Sequence, residues 1–260
     1  MLHYLCRRSK VVNALNKMNR SFAKIYRNFI LLAVFSIAMG ALEGIVVIYL
    51  RQIYYPKGFD FPLALFSPQM FFIEWIREAS TILMLVCIGI IAGENFCERL
   101  SYFLYAFAIW DISYYVWLKI FLNWPPSFLT WDILFLIPVP WVGPVLAPII
   151  CSLTMILIAS SIVNLQQKGC TLTIKLSEYA LAIVGAFIIF FTFIWDYSKI
   201  IIEEGFCSNF LTLAKNEHLR QIISQYKPTH YNWYLFALGE TLILCALTLV
   251  VRRTKSSFHH

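Results

Sequence analysis

The chain has 260 residues, of which 60% are hydrophobic and only 13% charged, with a net charge of +7 and a mean hydropathy of +0.71. A soluble domain carries about 25% charged residues, and this chain has too few polar groups to cover a water-facing exterior. The composition therefore excludes a soluble globular protein and predicts an integral membrane protein. The positive charge suits attraction to an anionic membrane surface, and nothing in its distribution points to nucleic acid.

Residues 1–28 hold seven Lys/Arg and no acid. Lys10, Lys17 and Lys24 recur every seven residues, while Val11, Leu15, Met18, Phe22 and Ile25 keep near-helical spacing. That pattern predicts a cytoplasmic basic amphipathic helix on the membrane surface. The apolar run 29–50 follows, too long for the core of a signal peptide. It carries Glu43 between Gly40 and Gly44, a spacing that admits a neighbouring helix closely. Arg51 lies about 80° further round the same helix, where it reaches Glu43 through a neighbour.

A spanning helix needs about 20 apolar residues. The further spans expected are 73–93, 101–122, 143–164, 177–198 and 232–251. Together with 29–50 they predict an all-α bundle of about six transmembrane helices in one domain. Glu74, Arg77 and Glu78 open the second span on one face, as an ion-pair network or an outer vestibule. The third span carries Asp111 near mid-membrane, with Tyr114 and Tyr115 one turn outward and able to hydrogen-bond it.

The segment 123–148 is dense in Trp and Pro. Its run 131–137 is too short to span, and Pro138 and Pro140 disfavour a helix through 137–141. A proline-broken re-entrant or interfacial segment near 131–141 is expected, with Thr130 and Asp132 as caps and Trp124, Trp131 and Trp141 in an interface belt. Broken segments beside buried carboxylates build sites for ions and polar solutes in some membrane proteins. Glu178 is expected to be solvated or to sit as a helix-start charge, Glu240 to lie just outward of the middle of the last span, and residues 208–226 to form an outer amphipathic helix.

With the N-terminus inside, the inner segments hold 13 Lys/Arg and the outer ones 8. The excess predicts a cytoplasmic N-terminus and a cytoplasmic tail, 252–260. Glu43, Glu78, Asp111, Asp132, Asp196 and Glu240 then share one outward zone. The candidate ion- or substrate-binding residues are Glu43, Arg51, Glu78, Asp111, Tyr114, Tyr115, Asp132 and Glu240.

Seven cysteines are scattered without a CxxC pair, and His3, His218 and His230 lie outside the spans. No nucleotide-binding, haem or zinc motif is present, so no cofactor and no dedicated metal is expected, although carboxylates alone can hold a divalent ion. The predicted partners are membrane lipids, with partner membrane subunits or a second copy as further options. The pairs Trp110-Asp111, Tyr114-Tyr115, Trp124-Pro125 and Trp131-Asp132, with Pro138-Val139-Pro140-Trp141, resemble a group of uncharacterised bacterial polytopic inner-membrane proteins. That resemblance implies a cell inner-membrane location and no particular activity.

Three functions fit these features. The first is a transporter or channel-like protein for a proton, cation or small polar solute. The second is a membrane-embedded enzyme acting on a lipid or lipid-linked substrate at the outer leaflet. The third is a non-catalytic subunit or assembly factor of a membrane complex.

Overall fold

The computed structural model describes residues 2–64, 66–170, 172–203, 221–222 and 225–258, with side chains described within 23–256. Six long helices run through these residues: α1 Leu2–Tyr54, α2 Pro68–Ala92, α3 Phe96–Leu122, α4 Leu146–Gln167, α5 Leu176–Glu203 and α6 Trp233–Phe258. Two short strands, β1 Trp131–Phe135 and β2 Trp141–Pro144, lie between α3 and α4.

Five of the helices are long and apolar enough to cross a membrane: α2, α4 and α5 whole, Ala23–Tyr54 of α1 and Trp233–Ser256 of α6. Their burial pattern is the inverse of a soluble protein's. On α2, Glu78 is 5% exposed while Ile91 is 78% exposed. Charge turned inward and hydrocarbon turned outward is stable only where the surroundings are lipid. The chain is therefore a helical membrane protein. The sixth helix, α3, is 27 residues long and holds the centre, packed against α1, α2 and α4. Its Ser, Tyr, Trp and Asp residues serve these helix–helix contacts, which lowers its hydropathy.

Each helix boundary has a local cause. Ser67 accepts the Met70 N–H at 3.1 Å and Pro68 fills the first turn, starting α2. Asn95 accepts the Glu98 N–H at 3.1 Å to start α3, which ends on Asn123 in the left-handed conformation at φ 52°. Asn232 caps α6 through the Leu235 N–H at 3.1 Å.

Small residues set the spacing. A side chain on Gly40 would run into Ser113 and lie 3.0 Å from the Trp110 carbonyl, so α1 meets α3 almost backbone to backbone. Gly185 and Gly239 do the same for α5 and α6, where a β-carbon on either would fall within 2.8 Å of the other's carbonyl.

Two expectations change, and a third falls outside the described residues. Helix α1 is continuous from Leu2 to Tyr54, so no break separates a surface helix 1–28 from the span after it. The segment near 131–141 is not helical. It is an antiparallel hairpin pairing Trp131 with Pro144, Asp132 with Gly143 and Ile133 with Val142, its ladder irregular between Ile133 and Phe135. The all-α bundle thus contains one small β element. Its Trp141 packs on Phe190 and Phe193 at the middle of α5, and Phe135 packs on Phe107 and Trp110 at the middle of α3. The hairpin tip therefore reaches half the height of these helices, where Trp141 belongs to the packed interior, while Trp131 at the hairpin's open end packs on Tyr231 just before α6. The outer helix expected over 208–226 falls almost wholly outside the described residues.

Candidate functional site

Where the hairpin enters the bundle, α1, α2, α3 and β1 enclose a partly open cavity of about 100 Å³. A water needs roughly 10–15 Å³ by the same measure, so the space admits several waters or a small solute. Seven of the eight candidate residues line it: Glu43 and Arg51 from α1, Glu78 from α2, Asp111, Tyr114 and Tyr115 from α3, and Asp132 from β1. Glu74 and Arg77 of α2 complete the charged wall.

Two guanidinium groups organise these carboxylates. Arg77 donates from Nε to Glu74 at 2.7 Å, and from Nη1 to Glu43, while Glu78 stands 3.9 Å from Nη2. Arg77 is thus the countercharge of Glu43, and it comes from the neighbouring helix. Both oxygens of Glu78 face the Leu136 N–H at the hairpin tip, at 3.0 and 2.9 Å. That bond supplies a backbone donor which the hairpin turn leaves without a ladder partner.

Arg51 forms the second centre. Its Nη2 donates to Asp132 Oδ1 at 3.2 Å, and its guanidinium lies over Trp124 at 3.8 Å and Phe59 at 4.4 Å from the ring centroids. Aromatic faces carry negative potential and attract such a cation most strongly when water is excluded. Arg51 is 8% exposed and Asp132 2%. Arg51 therefore pairs with the hairpin's Asp132 rather than with Glu43 through a neighbour. Asp132 is an ion-pair partner within a strand and caps no helix.

Asp111 accepts the Ser152 hydroxyl at 2.8 Å across the α3–α4 contact, so Tyr114 and Tyr115 are not its partners. The Tyr115 hydroxyl faces Asp132, and Tyr114 packs edge-on against Tyr115 at 4.9 Å. Oδ2 of Asp132, Nη1 of Arg51 and Nε1 of Trp110 are buried without a partner at hydrogen-bond geometry. All three atoms belong to residues of the cavity wall. Just beyond the end of α1, the Tyr55 hydroxyl accepts the Ala64 N–H at 2.7 Å. Burial holds that hydroxyl above its ordinary pKa, so it stays protonated.

Glu240 is the exception among the eight. It lies 7% exposed and accepts the Thr154 hydroxyl at 2.8 Å between α4 and α6, apart from the cavity wall. Of the two readings for Glu178, the structure has the helix-start charge: it stands in the first turn of α5 and accepts the Lys175 N–H at 2.8 Å. It is buried, not solvated, and gripped by Arg253 of α6 through Nη1 and Nη2 at 2.7 and 2.8 Å.

The sequence reading did not place Tyr55, Phe59 and Trp124 at the site. Tyr55 and Phe59 lie in the irregular connection 55–67, which no periodicity marks. Trp124 follows the end of α3 and reads as a belt residue until Arg51 is seen beneath it. Among the described residues, no three or more His, Cys, Asp or Glu side chains are grouped closely enough to hold a metal ion.

Compared with family models, curated proteins and solved structures, the chain matches none.

Proposed function

We propose that this protein is a transporter or channel-like membrane protein that admits a proton, a cation or a small polar solute to the cavity between α1, α2, α3 and the hairpin. One observation carries the reading: five carboxyl groups, Glu43, Glu74, Glu78, Asp111 and Asp132, face two guanidinium groups around a space large enough for solvent. Ionised groups at membrane depth cost about 2.5–3.5 kcal/mol each, so a purely structural cluster is expected to balance its charges. An excess of three carboxyls beside room for solvent suits a group that takes up and releases positive charge.

The topology proposed with this reading has α3 as a sixth span and both termini in the cytoplasm of a cell with an inner membrane. It rests on the Lys/Arg excess of the inner segments and on the sequence resemblance described above.

The test is flux in proteoliposomes holding the purified protein, with imposed gradients of protons, K⁺, Na⁺, ethylammonium and methylguanidinium. The wild type is expected to dissipate at least one gradient, and Asp111→Asn to reduce that rate at least tenfold while eluting as the same monodisperse species. A wild-type protein that moves none of these ions above protein-free liposomes, or an Asp111→Asn rate equal to wild type, overturns the proposal.

A further inference from the structure

We propose that the cavity binds a small organic cation, of the alkylammonium or guanidinium class, at Asp132 and Asp111 beside the aromatic wall that holds Arg51. This deepens the transport reading and rests on it.

The sign of the guest follows from the charges. Glu43 and Glu74 are engaged by Arg77, and Glu78 receives the Leu136 N–H. Asp111 has only a neutral hydroxyl partner, and Asp132 has one charged partner, the Arg51 guanidinium at one oxygen, beside the neutral Tyr115 hydroxyl and Ile133 N–H. The other oxygen of Asp132, on a residue 2% exposed, meets no donor at hydrogen-bond geometry. A buried carboxylate oxygen without a well-aligned donor is costly, and a donor that carries positive charge removes that cost most effectively.

The kind of cation follows from the walls. Ca²⁺ and Mg²⁺ take six or more oxygen ligands at about 2.0–2.6 Å, and among the described residues no three His, Cys, Asp or Glu side chains are grouped to hold a metal ion. The wall is instead aromatic, formed by Tyr55, Phe59, Trp110, Tyr114 and Tyr115. Aromatic faces favour cations that carry their charge on a weakly hydrated, polarisable frame. Arg51 already displays that chemistry, with its guanidinium stacked on Trp124 and Phe59 and joined to Asp132 by one bond. A carboxylate accepts two parallel N–H bonds from a guanidinium when free to do so. An entering guanidinium or ammonium therefore competes for Asp132 while Arg51 keeps its place on the rings. The cavity volume restricts the guest to a few heavy atoms.

The experiment titrates wild-type protein in nanodiscs with methylguanidinium chloride, ethylammonium chloride, KCl and NaCl at constant ionic strength, following tryptophan fluorescence and thermal midpoint. Saturable binding of at least one organic cation is expected, at least tenfold tighter than K⁺ or Na⁺. Asp132→Asn is expected to weaken it at least tenfold. Asp111→Asn, which keeps a partner for Ser152, gives the same reading if the first variant does not fold. No saturable organic-cation binding, equal binding of K⁺, or wild-type affinity in a folded variant overturns the inference. Ion flux in proteoliposomes that persists without organic-cation binding overturns this inference alone. Absence of any flux strikes the transport reading beneath it.

Discussion

Arg77 neutralises more of this cavity than any other side chain, because it alone stands among Glu43, Glu74 and Glu78. Breaking a buried pair from one side leaves the other charge desolvated and unmatched, at a cost of about 3–5 kcal/mol. Arg77→Ala is expected to lose close to 3 kcal/mol, since its side chain remains 22% exposed. Glu43→Gln in the same background is expected to recover part of that loss. Both are read as shifts in the SDS-denaturation midpoint, and an Arg77→Ala midpoint equal to wild type contradicts the assignment. Individual site residues were legible in the sequence because a carboxylate in an apolar run has no cheap explanation. Their partners were not. Which base meets Glu43 depends on how two helices are rotated about their axes, and the spacing within one helix does not contain that. Glu240 fell outside the cavity for the same reason. Its depth along α6 was readable, but its direction is fixed by the Gly185–Gly239 contact with α5.

At the scale of elements, the helices follow from apolar length and from caps such as Ser67 and Asn95, and both signals are local. The hairpin does not. Its strands are five and four residues long, and short apolar runs do not distinguish strand from helix by period. Pro138 and Pro140 disfavoured a helix through 137–141 without naming what replaced it. The hairpin is defined by what receives it: the face of α5, the carboxylate of Glu78 and the guanidinium of Arg51. Gly143 marks the closest approach, where a β-carbon would come within 2.9 Å of the Phe193 ring. Gly143→Ala is therefore expected to push the hairpin off α5, costing about 1–3 kcal/mol, the range for overpacking a tight interior. Because the same movement shifts Asp132, the variant is expected to bind methylguanidinium severalfold more weakly. Unchanged stability and binding together contradict this packing. The connection 55–67 is a second element invisible in the sequence, yet its Phe61 and Leu63 pack with Val142 and Tyr197 against the hairpin's outer side.

For the whole molecule, membrane residence was readable from composition alone, because no arrangement of 13% charged residues covers so apolar a chain. The number of crossings is a finer matter and turns on α3. That helix is about 40 Å long at 1.5 Å per residue, more than the roughly 30 Å of a hydrocarbon core. Counting it as a span places the two chain ends on one side. Reporters fused to the N-terminus and to the C-terminus are both expected to report the cytoplasm, and reporters on opposite sides would remove α3 from the count.

The depth of the hairpin also dictates an order of events during synthesis. Residues 131–144 leave the ribosome before α5, yet their resting place is walled by Phe190 and Phe193 of that later helix. Exposed strand edges do not enter lipid unaided, since nothing there satisfies their backbone groups. The hairpin is therefore expected to settle fully against Arg51 and Glu78 only once α5 has been inserted. A chain stopped at residue 170 is expected to leave 131–144 open to added protease, whereas the full chain protects it. The closing wall of the cavity, β1, would then be the part whose placement depends on a helix made after it.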